Sequence, residues 1–94
     1  MPFDPEKNKK NLRDHGIDLS FGDQVLADSN ALEVLDNTMD YGEERWNMLG
    51  MVKGAVYHLT YTDTEEGFRY ISLRKAEKSE EARYYKRENP HGDN

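Results

Sequence analysis

Arg69-Tyr70-Ile71-Ser72-Leu73-Arg74-Lys75-Ala76 reads as a strand that delivers basic side chains straight into a charged helical segment ending near Tyr84-Tyr85. Glu65-Glu66-Gly67 marks a turn just before it and Lys53-Gly54 marks another further back. Between and before these turns the extended pattern predicts strands at about 68–74, 55–62, 44–51 and 32–36, rich in Val, Tyr, Leu and Ile. Short connections make the last strands antiparallel neighbours. In a regular final strand Arg69, Ile71 and Leu73 point one way and Phe68, Tyr70, Ser72 and Arg74 the other, so Ile71 and Leu73 are expected to meet the core. Arg69 and Arg74 are then sent to opposite faces, unless a bulge or the strand end intervenes.

Helical signals flank the strands. Asp4-Pro5 reads as an N-cap followed by a first-turn proline and Gly16 as a stop, which predicts a helix over about 5–15. Leu12 is its only large apolar residue, while Lys7, Asn11 and His15 form a polar row on the helical period. Ser20 and Asp23 have capping-box-like spacing, suggesting a short helix over about 21–26 that Gly22 weakens. A last helix over about 76–88 sets Ala76, Glu80 and Tyr84 in one row, and residues 89–94 read as a flexible tail. This order predicts an α+β domain spanning 1–94: two N-terminal helices, a four-stranded antiparallel sheet and a C-terminal helix. The helices are expected mainly against one face, with the other open to a ligand.

Ninety-four residues suit one domain, and 35% hydrophobic against 34% charged residues imply a thin core in which ten aromatics must carry much of the buried area. The absence of cysteine excludes disulfides and thiolate chemistry and fits a reducing cytoplasm. With no apolar run near membrane-spanning length and no signal-peptide-like stretch, the chain is expected to be soluble and cytoplasmic. The net charge of −6 runs against a phosphate-binding role. Its distribution softens that objection: residues 17–50 carry eight acids against Arg45 alone, whereas 1–16 and 51–78 each balance to +1, leaving room for a basic face built from both ends.

His15, at the close of the first helix, suits either a proton donor and phosphate contact or a cap on the last carbonyls. Arg74, where strand becomes helix, could bind a phosphate bidentately, though solvated strand-end arginines are also common. Glu80 and Tyr84 are neighbours on the last helix. The carboxylate could serve as a general base to a ribose 2′-hydroxyl and the tyrosine could hydrogen-bond a phosphate or stack on a base, or both could simply belong to a solvated helix face. Trp46, Tyr57, His58, Tyr61 and Tyr70 could offer stacking surface, but core packing suits most of them better. Three histidines at 15, 58 and 91 show no ligand spacing, and neither a phosphate loop nor a nucleophile elbow is present, so no metal or other cofactor is expected.

Phe3-Asp4-Pro5 with Lys7, Asn11-Leu12 and His15-Gly16-Ile17, then Gly42-Glu43-Glu44-Arg45-Trp46, then the 69–76 strand, then Glu80 and Tyr84, resemble in order and spacing the BrnT toxins of bacterial type II toxin–antitoxin pairs. Leu73 stands where the family's strand motif commonly has a small residue. The resemblance implies a RelE-like fold and a ribonuclease that halts translation. It also implies inhibition by a BrnA-like antitoxin that supplies the only DNA contact, and a toxin dimer within a heterotetramer. Carried onto this chain, it puts catalytic roles on Arg74, Arg69, His15, Glu80 and Tyr84, with Lys7 and Lys75 binding RNA and no metal. The expected reaction is attack of the 2′-hydroxyl on its own 3′-phosphate, with Glu80 or His15 moving protons and Arg74 and Arg69 stabilising the charge on phosphorus. A reading of a different class is a non-catalytic module that holds a basic partner on the acidic segment 17–50. A small DNA-binding regulator fits less well, because no basic helix-turn-helix pattern is seen.

Overall fold

A computed structural model describes residues 3–40 and 43–88; the tail expected at 89–94 lies outside the described residues. Helix α1 (Pro5–His15) leads through a 3₁₀ turn (Leu19–Phe21) into α2 (Gly22–Leu26). Strands β1 (Leu32–Asp40), β2 (Glu43–Val52), β3 (Ala55–Thr64) and β4 (Gly67–Lys75) follow, then α3 (Lys78–Glu88). The strands form one antiparallel sheet in the order β1-β2-β3-β4. β1 runs on past the expected residue 36, and α3 starts at Lys78 because Ala76 still pairs with the sheet, its N–H donating to the Val56 carbonyl at 3.0 Å.

Helices cover both faces, not mainly one. Leu59, Tyr61, Tyr70 and Leu73 share a core with Leu19 and Val25 from the 3₁₀ turn and α2. Leu49 and Val56, of opposite parity on β2 and β3, pack with Tyr84 of α3. The close seat of α2 depends on Gly50, since a Cβ there would lie 2.7 Å from the Val25 carbonyl oxygen. The cap before the second helical segment is Asp18, which accepts from Ser20 N at 2.9 Å; Ser20, expected as a cap, sits inside the 3₁₀ turn.

The expected alternation along β4 fails at one residue. Leu59 pairs with Leu73, Thr60 with Ser72, but Tyr61 with Tyr70, so Ile71 is an extra residue bulged out of the ladder. Tyr70 therefore takes the core place expected for Ile71, and Arg69 and Arg74 fall on the same face.

α1 lies along the outer edge of β4 and is docked by polar groups. Asn11 is buried; its Nδ2 donates to the carbonyls of Ile17 and Leu73, each at 2.8 Å, and its Oδ1 accepts from Leu73 N at 2.9 Å. The side-chain amide thus stands in for a fifth strand at the edge. Asn8 adds a second anchor by accepting from Leu19 N at 2.7 Å, while Leu12 stays exposed. Asp4 caps the helix start by accepting from Glu6 N, and Gly16, at φ 71°, ends the helix in the left-handed conformation that glycine adopts without strain.

Three tyrosine hydroxyls tie the frame together. Tyr61 donates to Glu33, Tyr70 to Asp23, and Tyr84 to Asp28, the last at 2.6 Å. Asp28 also accepts from Met51 N at 2.8 Å and Asn30 N at 3.0 Å. Burial works against its charge, but those three donors prevail and hold its carboxyl below the ordinary value.

Candidate functional site

Three hollows follow one another around the C-terminal end of α1. The first, of about 290 Å³, is lined by Lys7, Lys10 and His15 on one side and by Arg45 and Ser72 on the other. The middle one, of about 520 Å³, lies between His15 and Ile17, the end of β4 at Arg74 and Lys75, and Glu77. The third, of about 400 Å³, is bounded by Ile17, Asp18, Phe21, Gln24 and Tyr57. Asp14 and His15 line both the first and the middle hollow, and Ile17 and Tyr57 both the middle and the third, so the three form one groove.

Each part of the middle hollow has a local cause. His15 is the last residue of α1 and is exposed where the Gly16 turn swings the chain away. Arg74 sits opposite His58 in the β3–β4 register, on the α3 face of the sheet. Its Nη1 and Nη2 donate to the Glu80 carboxylate at 2.8 and 3.0 Å, and Nη1 also reaches the Lys75 carbonyl at 3.2 Å. Part of the guanidinium donor set stays uncommitted for a ligand. Glu80 is held from behind as well: it accepts from Glu77 N at 2.8 Å, the backbone half of a capping box at the start of α3, and His58 Nε2 lies 3.8 Å away.

These contacts tie Glu80 to Arg74 on one side and to the start of α3 on the other. The Arg74 hydrogen bonds, against the opposing effect of burial and with help from Glu77 N–H and His58, bring its carboxyl down to about 2. So acidic a group is a weak proton acceptor at neutral pH. Its geometry is that of a clamp fixing the guanidinium plane, and the pairing in turn pushes Arg74 up.

The other expected residues divide. Lys7 joins His15 at the first hollow, and Lys75 joins Arg74 at the middle one. Arg69 shares the face of Arg74 but lines none of the three hollows; with Ile71 bulged out it stands roughly 13 Å further along the strand at ~3.3 Å per residue. Tyr84 is 1% exposed and packed against Leu49 and Val56 with its hydroxyl on Asp28. Among the expected aromatics, Tyr61 and Tyr70 are buried, whereas Tyr57 reaches the groove. Sequence reading gave no site role to Lys10, Asp14, Arg45 or Ser72. Lys10 and Asp14 could have been found from their spacing to Lys7 on the helical period, whereas Arg45 and Ser72 come from strands whose juxtaposition with α1 only the fold creates.

Among the described residues no group of His, Cys, Asp or Glu gathers as metal ligands would, and no described helix is long and apolar enough to cross a membrane. A family model described as "Ribonuclease toxin, BrnT, of type II toxin-antitoxin system" matches residues 3–80, which takes in α1, the whole sheet and Glu80 but stops short of Tyr84. No curated protein matches the chain.

Proposed function

The chain belongs to the BrnT family of ribonuclease toxins of type II toxin–antitoxin systems, and from that membership we propose that it is a metal-independent endoribonuclease whose catalytic centre is the middle hollow. One observation carries the placement: His15, from the end of α1, and Arg74, from the end of β4, line the same hollow, with Glu80 clamping the guanidinium from behind.

In this reading a ribose 2′-hydroxyl attacks the adjacent phosphorus. His15 takes the hydroxyl proton as the 2′-oxygen–phosphorus bond forms, and Arg74 stabilises the charge that builds on the phosphoryl oxygens. The bond to the 5′-oxygen breaks, and that oxygen leaves with a proton drawn from solvent at the open rim. The products are a 2′,3′-cyclic phosphate and a 5′-hydroxyl. Lys75 and Lys7 hold neighbouring phosphates, Glu80 positions Arg74, Tyr84 belongs to the frame, and Arg69 contacts RNA away from the scissile bond. Family membership implies an antitoxin partner; we take it to be BrnA-like, with two toxins in a heterotetramer, and the action to be arrest of translation in the cytoplasm.

Purified protein incubated with RNA and a chelator tests the chemistry: cleavage to cyclic-phosphate ends is expected, and activity that vanishes with chelator would reject the metal-free scheme. Arg74→Ala is expected to lose about 100-fold or more, the scale of removing one charge-stabilising group. Full activity in that variant would reject the site. The rival reading, a non-catalytic module docking a basic partner on segment 17–50, predicts no growth arrest on expression in a bacterium. Asp23, Asp28 and Glu33 of that segment already hold tyrosine hydroxyls, and Asp18 already caps the 3₁₀ turn.

A further inference from the structure

The three hollows differ in charge. In the first, Lys7, Lys10 and Arg45 face the single carboxylate Asp14. In the middle one, Arg74 and Lys75 face Asp14 and Glu77. The third holds no cation and one acid, Asp18, whose carboxyl is kept below its ordinary value chiefly by the hydrogen bond from Ser20 N–H. By these linings a phosphate is attracted to the first, meets balanced charge and the guanidinium donors of Arg74 in the middle one, and is repelled from the third.

What the third hollow offers is suited to a neutral planar ring. Tyr57 and Phe21 meet edge to face, centroids 5.0 Å apart at 69°, so the packing of each ring fixes the other. Gln24, exposed on α2, presents an amide with both donors and an acceptor beside them. Tyr57 pairs with Lys75 across the β3–β4 ladder, so the aromatic ring and the ammonium start from adjacent backbone positions on one face of the sheet.

We infer that the third hollow is a nucleobase subsite: the base next to the cleaved phosphodiester of single-stranded RNA stacks against Tyr57 while Gln24 hydrogen-bonds its edge, which gives the enzyme a base preference at the cut. The inference rests on the ribonuclease reading and adds to it where sequence selectivity resides. Stacking on an aromatic ring is tolerant of base identity, whereas an amide that bonds a base edge is not. Tyr57 therefore supplies affinity and Gln24 supplies choice.

The test is to map cleavage ends on a mixed-sequence RNA, and to measure kcat and KM on a short oligonucleotide and its abasic counterpart, for the wild type, Gln24→Ala and Tyr57→Leu. Gln24→Ala, at an exposed position, is expected to flatten the base preference, with the loss of cleavage falling on the preferred base. Tyr57→Leu is expected to raise KM by about 5-fold to 100-fold, the range set by one base–aromatic stack. The abasic oligonucleotide is expected to show the same loss with wild-type protein and no further loss with Tyr57→Leu. Unchanged preference in Gln24→Ala together with unchanged KM in a folded Tyr57→Leu would overturn the inference and leave the ribonuclease reading intact, as would a loss confined to antitoxin affinity. If the wild type cleaves no RNA the reading beneath it fails first. Equilibrium binding of the intact and abasic oligonucleotides then decides the subsite separately, equal affinity overturning it.

Discussion

Asp23, Asp28 and Glu33 each accept a tyrosine hydroxyl and join one element of the frame to another, whereas Asp14 and Glu80 each hold a cation beside the groove. The first kind of bond leaves the negative charge in place. Burial first, and the carboxylate partner second, push the Tyr61 and Tyr70 phenols up, so they stay protonated donors. The second kind offsets charge where a polyanion has to approach. The difference shows how a chain of net charge −6 can line the first hollow with three cations against one carboxylate: Asp23, Asp28 and Glu33 are committed to tyrosine hydroxyls and line none of the three hollows. It also separates two classes of variant, those that loosen the frame and those that disarm the groove.

The largest effect on stability is expected from Asn11→Ala. It would strand the buried N–H of Leu73 and its carbonyl, leave the Ile17 carbonyl unsatisfied and unhook the helix that carries His15 and Lys7. Unsatisfied buried groups cost ~1–3 kcal/mol each, partly recovered by water at an edge, so a loss of about 2–4 kcal/mol is expected in denaturant unfolding. A loss below about 1 kcal/mol would mean that α1 is held some other way.

Tyr84→Phe comes next. It removes the hydroxyl from Asp28 but keeps the ring between Leu49 and Val56 and leaves the backbone donors in place, for an expected cost of about 1–2 kcal/mol with RNA cleavage unchanged. Arg74→Ala should show the converse, cleavage lost with stability changed less. Were Tyr84→Phe to lose activity at full stability, the line drawn between frame and groove would be in the wrong place.

How far the sequence discloses this division depends on the range of the interactions concerned. α1 was legible to the residue, because Asp4-Pro5 and Gly16 act through contacts within a turn of the helix. The antiparallel order was legible from Lys53-Gly54 and Glu65-Glu66-Gly67, whose turns join neighbouring strands. Leu73 met the core as expected. Ile71 did not, since a bulge is set by what packs on both sides of a ladder and leaves no mark on alternation. Asn11 was visible only as part of a polar row; its role depends on Leu73, far along the chain and brought near by folding. Arg74 and His15 were singled out by type and position and line one hollow, whereas the hydrogen bonds that join Glu80 to Arg74 and to Glu77 N require the geometry of α3.

Smaller still is the pH dependence carried by Glu80. Its folded-state value of about 2 lies below the ordinary 4.5, so its contribution is present above pH 4.5 and lost as the pH falls toward 2. Discounted for partial exposure, the clamp is worth on the order of 1 kcal/mol. Acid titration of stability is expected to lose that increment in Glu80→Gln. The variant is expected to retain reduced cleavage at neutral pH, because the amide still bonds Arg74 without fixing it bidentately; if Glu80 were the base, cleavage would be abolished.

The smallest expected effect is at Asp14. Its carboxylate is exposed and holds Lys10 at 2.6 Å, the hydrogen bond that chiefly keeps its carboxyl below the ordinary value. Because surface pairs of this kind contribute little, Asp14→Asn should leave unfolding unchanged. It would nevertheless remove the one negative charge from the lining of the first hollow and release Lys10 toward a phosphate. RNA affinity is therefore expected to rise at low salt, and the salt slope to steepen by up to about one phosphate contact. The gain should vanish at high salt, where screening removes the difference. An Asp14→Asn protein that binds RNA as the wild type does at every salt concentration would show that no phosphate comes near Asp14 in either hollow it lines, and would count against the groove as the RNA path.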